Sequence, residues 1–202
     1  MSIVPPSAAS GARGALGPLA RSLHRAGVSA NAVTVAGLLL TLVGATFVAA
    51  AQPVPALAAL LIGSLADTLD GQIAKAAGGG TKLGAFLDST FDRVSDAALP
   101  SAVIAYAVAQ PYTLLIWPAL VALVASALVP YMRAKAESLG IAASVGLAPR
   151  EARVVILILG VAGWAVTSDP RFLAAAIGIV ALLSTITVLQ RFVHVARALR
   201  NS

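Results

Sequence analysis

Apolar residues run along the chain in six long stretches, near positions 31–50, 54–76, 84–109, 112–136, 152–168 and 172–194, separated by short breaks. Stretches of about 17–25 residues are what a helix needs to cross a bilayer. The pattern therefore predicts an all-α, polytopic membrane protein with six transmembrane helices. The breaks carry turn chemistry: Gln52, Pro53 and Pro55, then Gly78, Gly79 and Gly80, then Gln110 and Pro111, then Gly140 to Pro149, then Ser168, Asp169 and Pro170. Ahead of the first stretch, residues 14–30 set Leu16, Leu19 and Leu23 against Arg21 and Arg25, which predicts a short amphipathic juxtamembrane helix. No internal repeat and no long polar segment interrupts the pattern. Residues 1–202 are read as a single membrane domain, with 1–30 as a cytoplasmic N-terminal segment and 31–198 as the six-helix bundle.

Composition agrees with this reading, since 59% of the residues are hydrophobic, only 11% are charged and the mean hydropathy is +0.92. The first twelve residues hold two adjacent prolines and no basic residue, unlike a secretory signal, so the first membrane segment is expected to remain in place. With no cysteine, and with His24 and His194 far apart, neither disulfides nor a zinc centre is expected. The net charge of +6 is spread among apolar spans, which suits an anionic lipid surface or substrate and not nucleic acid. Lysines and arginines mark the cytoplasmic side. They cluster before span one, between spans two and three, between spans four and five and after span six, whereas the remaining loops hold only Arg171. Both termini are therefore expected in the cytoplasm, as is the end of the bundle near residues 67–92.

That end holds the chain's most unusual chemistry. Five of its eight acidic residues, Asp67, Asp70, Asp88, Asp92 and Asp96, fall within thirty positions, and charges inside membrane helices are costly and usually functional. Asp67 and Asp70 stand at i and i+3 and Asp88 and Asp92 at i and i+4, so each pair shares a helix face. The glycine-rich break makes the two helices antiparallel neighbours, which lets the pairs face one another. Carboxylates so crowded need cations. An oxygen-only donor set selects a hard ion such as Mg²⁺ or Mn²⁺, and four carboxylates can hold two of them. Gly71, Ala74 and Gly84, one turn from these acids, let a ligand approach both backbones closely, although small residues also serve helix packing. Structural salt bridges, or a proton or cation pathway in a transporter, would use buried acids as well.

The run Asp67-Thr-Leu-Asp70-Gly71-Gln-Ile-Ala74-Lys75, followed after eight residues by Gly84-Ala-Phe-Leu-Asp88-Ser-Thr-Phe-Asp92, resembles the signature D-x-x-D-G-x-x-A-R…G-x-x-x-D-x-x-x-D of the CDP-alcohol phosphotransferases. Lys75 is the one departure, standing where the family has arginine; it keeps the charge and loses the bidentate fork. Asn31-Ala-Val-Thr34-Val-Ala-Gly37 is similar to the opening of that family's first membrane helix, with Ala30 in place of proline. The resemblance covers essentially the whole chain. It implies a six-helix homodimer in which Asp67, Asp70 and Asp88 bind one ion, Asp88 and Asp92 contribute to the second, and Asp92 accepts the proton of the attacking hydroxyl. It further implies that Asn31, Thr34, Gly71, Lys75 and Thr81 contact the CDP-lipid, with Ala74 and Gly84 as the small residues beside it. Taken alone, Asn31 reads equally as the cap of its helix, and Asp96, outside the signature, as a partner for Arg93 or Lys75.

Further features concern the acceptor. Tyr131-Met-Arg133-Ala-Lys135-Ala-Glu137, Pro149-Arg-Glu151-Ala-Arg153 and Gln190-Arg191 are similar to the actinobacterial phosphatidylinositol phosphate synthase branch of the family. In that branch, basic residues at the positions of Lys135, Arg153 and Arg191 form the inositol phosphate site; Arg133 is grouped with them here because it supplies the same charge-assisted bonding. Arg197 and Arg200 read as membrane anchors. The resemblance thus implies a bacterial cell-membrane enzyme that joins CDP-diacylglycerol and inositol 1-phosphate with release of CMP, using two Mg²⁺ or Mn²⁺ ions. A phosphatidylglycerol phosphate synthase is the alternative within the family. A cation- or proton-coupled transporter is the alternative outside it, and a nonenzymatic membrane scaffold the weakest.

Overall fold

The computed structural model describes the backbone of residues 6–200 and the side chains of residues 16–200. The described chain forms seven helices: α1 (Pro6–Arg25), α2 (Ala30–Ala49), α3 (Pro53–Ala76), α4 (Lys82–Ala109), α5 (Ile116–Ser138), α6 (Arg150–Thr167) and α7 (Arg171–Arg200), with a 3₁₀ turn at Thr113–Leu115 ahead of α5. The six predicted stretches correspond to α2 through α7, within a few residues except at the C-terminal end of the last. Helix α7 runs on to Arg200 instead of stopping at 194, because the segment after Arg191 still offers apolar positions and no helix breaker.

Local chemistry fixes the helix starts. The Ser29 hydroxyl accepts from the Ala32 amide (3.2 Å) and the Thr81 hydroxyl from the Gly84 amide (3.0 Å), capping α2 and α4. The cap of α2 is therefore Ser29 and not Asn31, which leaves the Asn31 carboxamide for other work. Pro53 starts α3, where its missing N–H costs nothing. Gly78 and Gly79, at φ +91° and +128°, make the tight return from α3 to α4 that residues with a Cβ would resist. The N-terminal helix differs from expectation, since it starts at Pro6 rather than near 14 and ends at Arg25. It packs against α3, with Ala20 almost fully buried and Leu19 half exposed.

Among the described residues four helices are long and apolar enough to cross a membrane: α2, α3, α7, and α5 together with its leading 3₁₀ turn. Helices α4 and α6 are the other two predicted spans. Every eighteen-residue stretch of α4 includes Asp92, Arg93 and Asp96, and α6, only 18 residues long, includes Arg150, Glu151 and Arg153. These charges are what lower their hydropathy, and they are the ones that build the site below.

Helix α2 lies close against α3 because glycines face each other. A Cβ at Gly63 would come within 2.9 Å of the Thr41 hydroxyl, and one at Gly44 within 2.7 Å of the Leu60 side chain. Helices α2, α3 and α4 form one group and α5, α6 and α7 another, joined by α3 on α6 and α4 on α5. An apolar core with Val48, Leu60, Val103, Tyr106, Trp164 and Ile177 fills the interior away from the acids. Many large apolar side chains point outward, with Leu114 at 88% and Val166 at 84% exposure, as expected where lipid and not water is the solvent.

Candidate active site

The acids meet at the end of the bundle where α3 finishes and α4 and α6 begin. Side-chain oxygens of Asp67, Asp88 and Asp92 lie within 4.8 Å of one another, so one member of the first helical pair meets both members of the second. Asp70 stands apart from this trio. It is only 6% exposed, and one of its carboxylate oxygens has no hydrogen-bond partner, a costly state for a buried acid unless a cation is present. The donor set is entirely oxygen. A buried carboxylate oxygen without a partner, beside three converging carboxylates, fits a hard divalent ion.

Above these acids opens a cavity of about 1100 Å³. Its lining contains every residue expected to meet the CDP-lipid: Asn31 and Thr34 from α2, Gly71, Ala74 and Lys75 from α3, and Thr81 and Gly84 from the start of α4. The small residues do different work. A Cβ at Gly84 would meet the Asn31 carboxamide oxygen at 3.1 Å and the Thr81 hydroxyl at 3.2 Å, so Gly84 lets α4 approach α2. A Cβ at Gly71 would meet nothing within 4 Å. Gly71→Val is therefore expected to leave the melting temperature unchanged while weakening CDP-lipid binding and slowing CMP release by about 10²-fold, the cost in rate of a misplaced substrate. Paired thermal-melt and ligand-binding measurements check this, and unchanged binding would remove Gly71 from the lipid site.

In the sequence Arg150 lies on the positive flank of a span, with no role of its own. The structure places it at the centre. From the first position of α6 its guanidinium donates to both oxygens of Asp67 (Nη1 at 2.9 Å, Nη2 at 3.3 Å), and Nη2 reaches Asp92 at 2.8 Å. Its Nε lies 3.6 Å from Asp96. A signal was present, since Arg150 and Arg153 stand at i and i+3 and so share a helix face that must point somewhere. Asp96 pairs chiefly with Arg153 (2.8 Å) and more distantly with Arg93 (3.9 Å). Of the two partners expected for Asp96, Arg93 is present, whereas no ion pair with Lys75 is seen among the described residues.

The four basic residues assigned to the acceptor do not share one environment. Arg153 lines the cavity but is 4% exposed, held by Asp96 and by the Ala148 carbonyl at 3.0 Å. Arg191 is buried and donates to the carbonyls of Val145 (2.8 Å) and Val129. Arg133 pairs with Glu137 on the exposed end of α5, and Lys135 is exposed beside it. Arg133, Arg153 and the acid Glu137 all lie within electrostatic reach of Arg191, so the positive charge where α5, α6 and α7 meet is partly offset, and of the four basic residues only Arg153 lines the cavity among the described residues.

Comparison with known proteins agrees with this geometry. Residues 27–191 match the family model described as CDP-alcohol phosphatidyltransferase. The chain is 35% identical over 177 residues to the archaetidylinositol phosphate synthase of Methanothermobacter thermautotrophicus, covering 87% of each protein. It is 35% identical over 190 residues to the phosphatidylinositol phosphate synthase of Mycolicibacterium smegmatis, covering 89% of this chain and 82% of that one. Its fold is similar to the crystal structure of the Mycobacterium tuberculosis phosphatidylinositol phosphate synthase with CDP-DAG bound, at TM-score 0.81 and 30% identity over 89% of this chain and 92% of that one. The same enzyme in complex with manganese and citrate matches at TM-score 0.80 and 31% identity, over 89% of this chain and 88% of the other. With signature, cavity and relatives in agreement, the chain belongs to the CDP-alcohol phosphatidyltransferase family, a family of metal-dependent membrane transferases of phospholipid biosynthesis.

Proposed function

We propose that this enzyme transfers the phosphatidyl group of CDP-diacylglycerol to inositol 1-phosphate, releasing CMP and forming phosphatidylinositol phosphate. The observation that carries the CDP-lipid half is the cavity whose lining joins the Asp67, Asp88 and Asp92 cluster to Asn31, Thr34, Gly71, Lys75 and Thr81. The acceptor half rests on the relatives named phosphatidylinositol phosphate synthase and on the positive charge at the meeting of α5, α6 and α7.

In this reading Asp67, Asp70, Asp88 and Asp92 hold two Mg²⁺ or Mn²⁺ ions, which when bound supply neutralisation of phosphate oxygens and of the departing CMP. Asn31, Thr34, Lys75 and Thr81 hold the CDP moiety, and Gly71, Ala74 and Gly84 keep the space for it open. Asp92 takes the proton of the attacking inositol hydroxyl. Lys135 and Arg133 meet the acceptor phosphate with charge-assisted hydrogen bonds, and Arg153 and Arg191 form the positive wall behind them. The protein is one multi-pass domain of the bacterial cell membrane. It has six spans, including the two charged helices α4 and α6, both termini and the active site on the cytoplasmic side, and a homodimeric assembly.

An acceptor panel tests the reading. Purified enzyme with CDP-diacylglycerol and Mn²⁺ is expected to release CMP fastest with inositol 1-phosphate, more slowly with glycerol 3-phosphate and least with free inositol. A preference for glycerol 3-phosphate would replace the acceptor, and no CMP release with any acceptor would defeat the enzymatic reading in favour of transport.

A further inference from the structure

We propose that Arg150 is an internal counter-cation of the metal site, competing with divalent ions for Asp67 and Asp92, so that metal loading and release of this guanidinium into the cavity are one exchange. The inference rests on the reading of those aspartates as metal ligands. It goes beyond that reading by assigning to α6 a residue that governs how the ligands are presented.

Position is the first argument. Arg150 engages both oxygens of Asp67 and one of Asp92, two members of the three-carboxylate cluster. A divalent ion sharing those oxygens would sit against the guanidinium and repel it, so both cannot hold the same atoms at full strength.

Charge gives the second. Asp67, Asp70, Asp88, Asp92 and Asp96 carry five negative charges, and Arg93, Arg150 and Arg153 return three positive ones, leaving −2 by subtraction. Among the described residues no ion pair reaches Asp70 or Asp88, so the deficit falls on the ligands that Arg150 leaves alone. Cations thus enter a half-neutralised site, and Arg150 must yield for the remaining ligands to join.

The third argument is the contrast with Arg153. Arg153 is 4% exposed and is held by Asp96 and by a backbone carbonyl, as a permanent structural pair would be. Arg150 is 22% exposed, lines the cavity, and has a buried Nε with no hydrogen-bond partner. Its cation also stands at the positive N-terminal end of α6, where the helix gains nothing from it. Its backbone is delivered by a braced segment: the Thr187 hydroxyl accepts from the Ala148 amide at 3.1 Å, Arg191 donates to the Val145 carbonyl, and a Cβ on Gly146, at φ +141°, would collide with Thr187. The main chain is fixed while the side chain is incompletely satisfied, which suits a group that holds the carboxylates until a better cation arrives.

Mn²⁺ titration of the full-length protein in detergent, followed by electron paramagnetic resonance, tests the exchange. R150Q is expected to bind Mn²⁺ about tenfold more tightly than the parent, and to melt at a lower temperature without metal but not with it. R150K keeps the charge without the fork; it is expected to fall between the two, and it carries the comparison should R150Q not fold. A residue that merely braced α6 would weaken Mn²⁺ binding on removal, so unchanged or weaker binding in both variants overturns the inference. D67N separates this from failure of the ligand assignment, because Mn²⁺ affinity retained in D67N removes Asp67 as a ligand and the inference with it.

Discussion

Asp92→Asn is expected to lower the rate of CMP release by about 10²- to 10⁴-fold, the range spanned by a positioned general base. Asparagine keeps the size and one acceptor oxygen but cannot take a proton, and it is a poor ligand for a hard ion. Asp92 is half-buried, with one oxygen 2.8 Å from Arg150 and the other 3.6 Å from Arg93, so its loss also leaves two guanidinium groups short of a partner. Binding of the CDP-lipid is expected to survive, because Asn31, Thr34, Lys75 and Thr81 are untouched. Single-turnover CMP release beside equilibrium lipid binding separates these effects. A near-parental rate would take the base role away from Asp92, and lost lipid binding would recast it as a structural residue.

Arg153→Met is expected to destabilise the protein by about 3 kcal/mol, the cost of leaving one member of a buried ion pair alone. The abandoned partner is Asp96, whose side chain is 6% exposed; its other cations, Arg150 and Arg93, lie at 3.6 and 3.9 Å. The Ala148 carbonyl loses a donor as well, loosening the segment that leads into α6. The Arg153→Met/Asp96→Leu double variant removes both charges and is expected to regain most of the stability, since an apolar replacement of a buried pair is often neutral. If stability returns but the KM for the phosphorylated acceptor stays high, Arg153 also contributes positive potential to the acceptor. If the single variant changes only that KM, the pair with Asp96 contributes no stability.

Much of this arrangement was legible in the residues because it is local. Helix periodicity alone puts Asp67 beside Asp70 and Asp88 beside Asp92, and the glycine-rich return between α3 and α4 leaves the pairs little choice but to meet. This part of the cavity wall was equally accessible, since Gly71, Lys75, Thr81 and Gly84 surround those acids in sequence. Arg150 was not, because its partners lie 83 residues away in the case of Asp67 and its neighbours, Pro149 and Glu151, look like an ordinary membrane flank. The carbonyls of Val129 and Val145 that Arg191 holds were equally out of reach. Backbone acceptors leave no trace in residue identity, so a buried arginine that clamps two carbonyls reads just like one awaiting an anion.

The separation in sequence between the acids and their arginines also has a history written into it. Asp96 and Arg153 are 57 residues apart, so a growing chain made at about 5–20 residues per second exposes its acids for roughly 3–11 s before α6 exists. During that interval α4 is a poorly apolar helix whose acids lack their α6 arginines, and among the described residues Arg93 is the one ion-pair partner they already have. If α4 is a span, as proposed, its settling in lipid is expected to await the second half of the protein, with the last helices rescuing an earlier one.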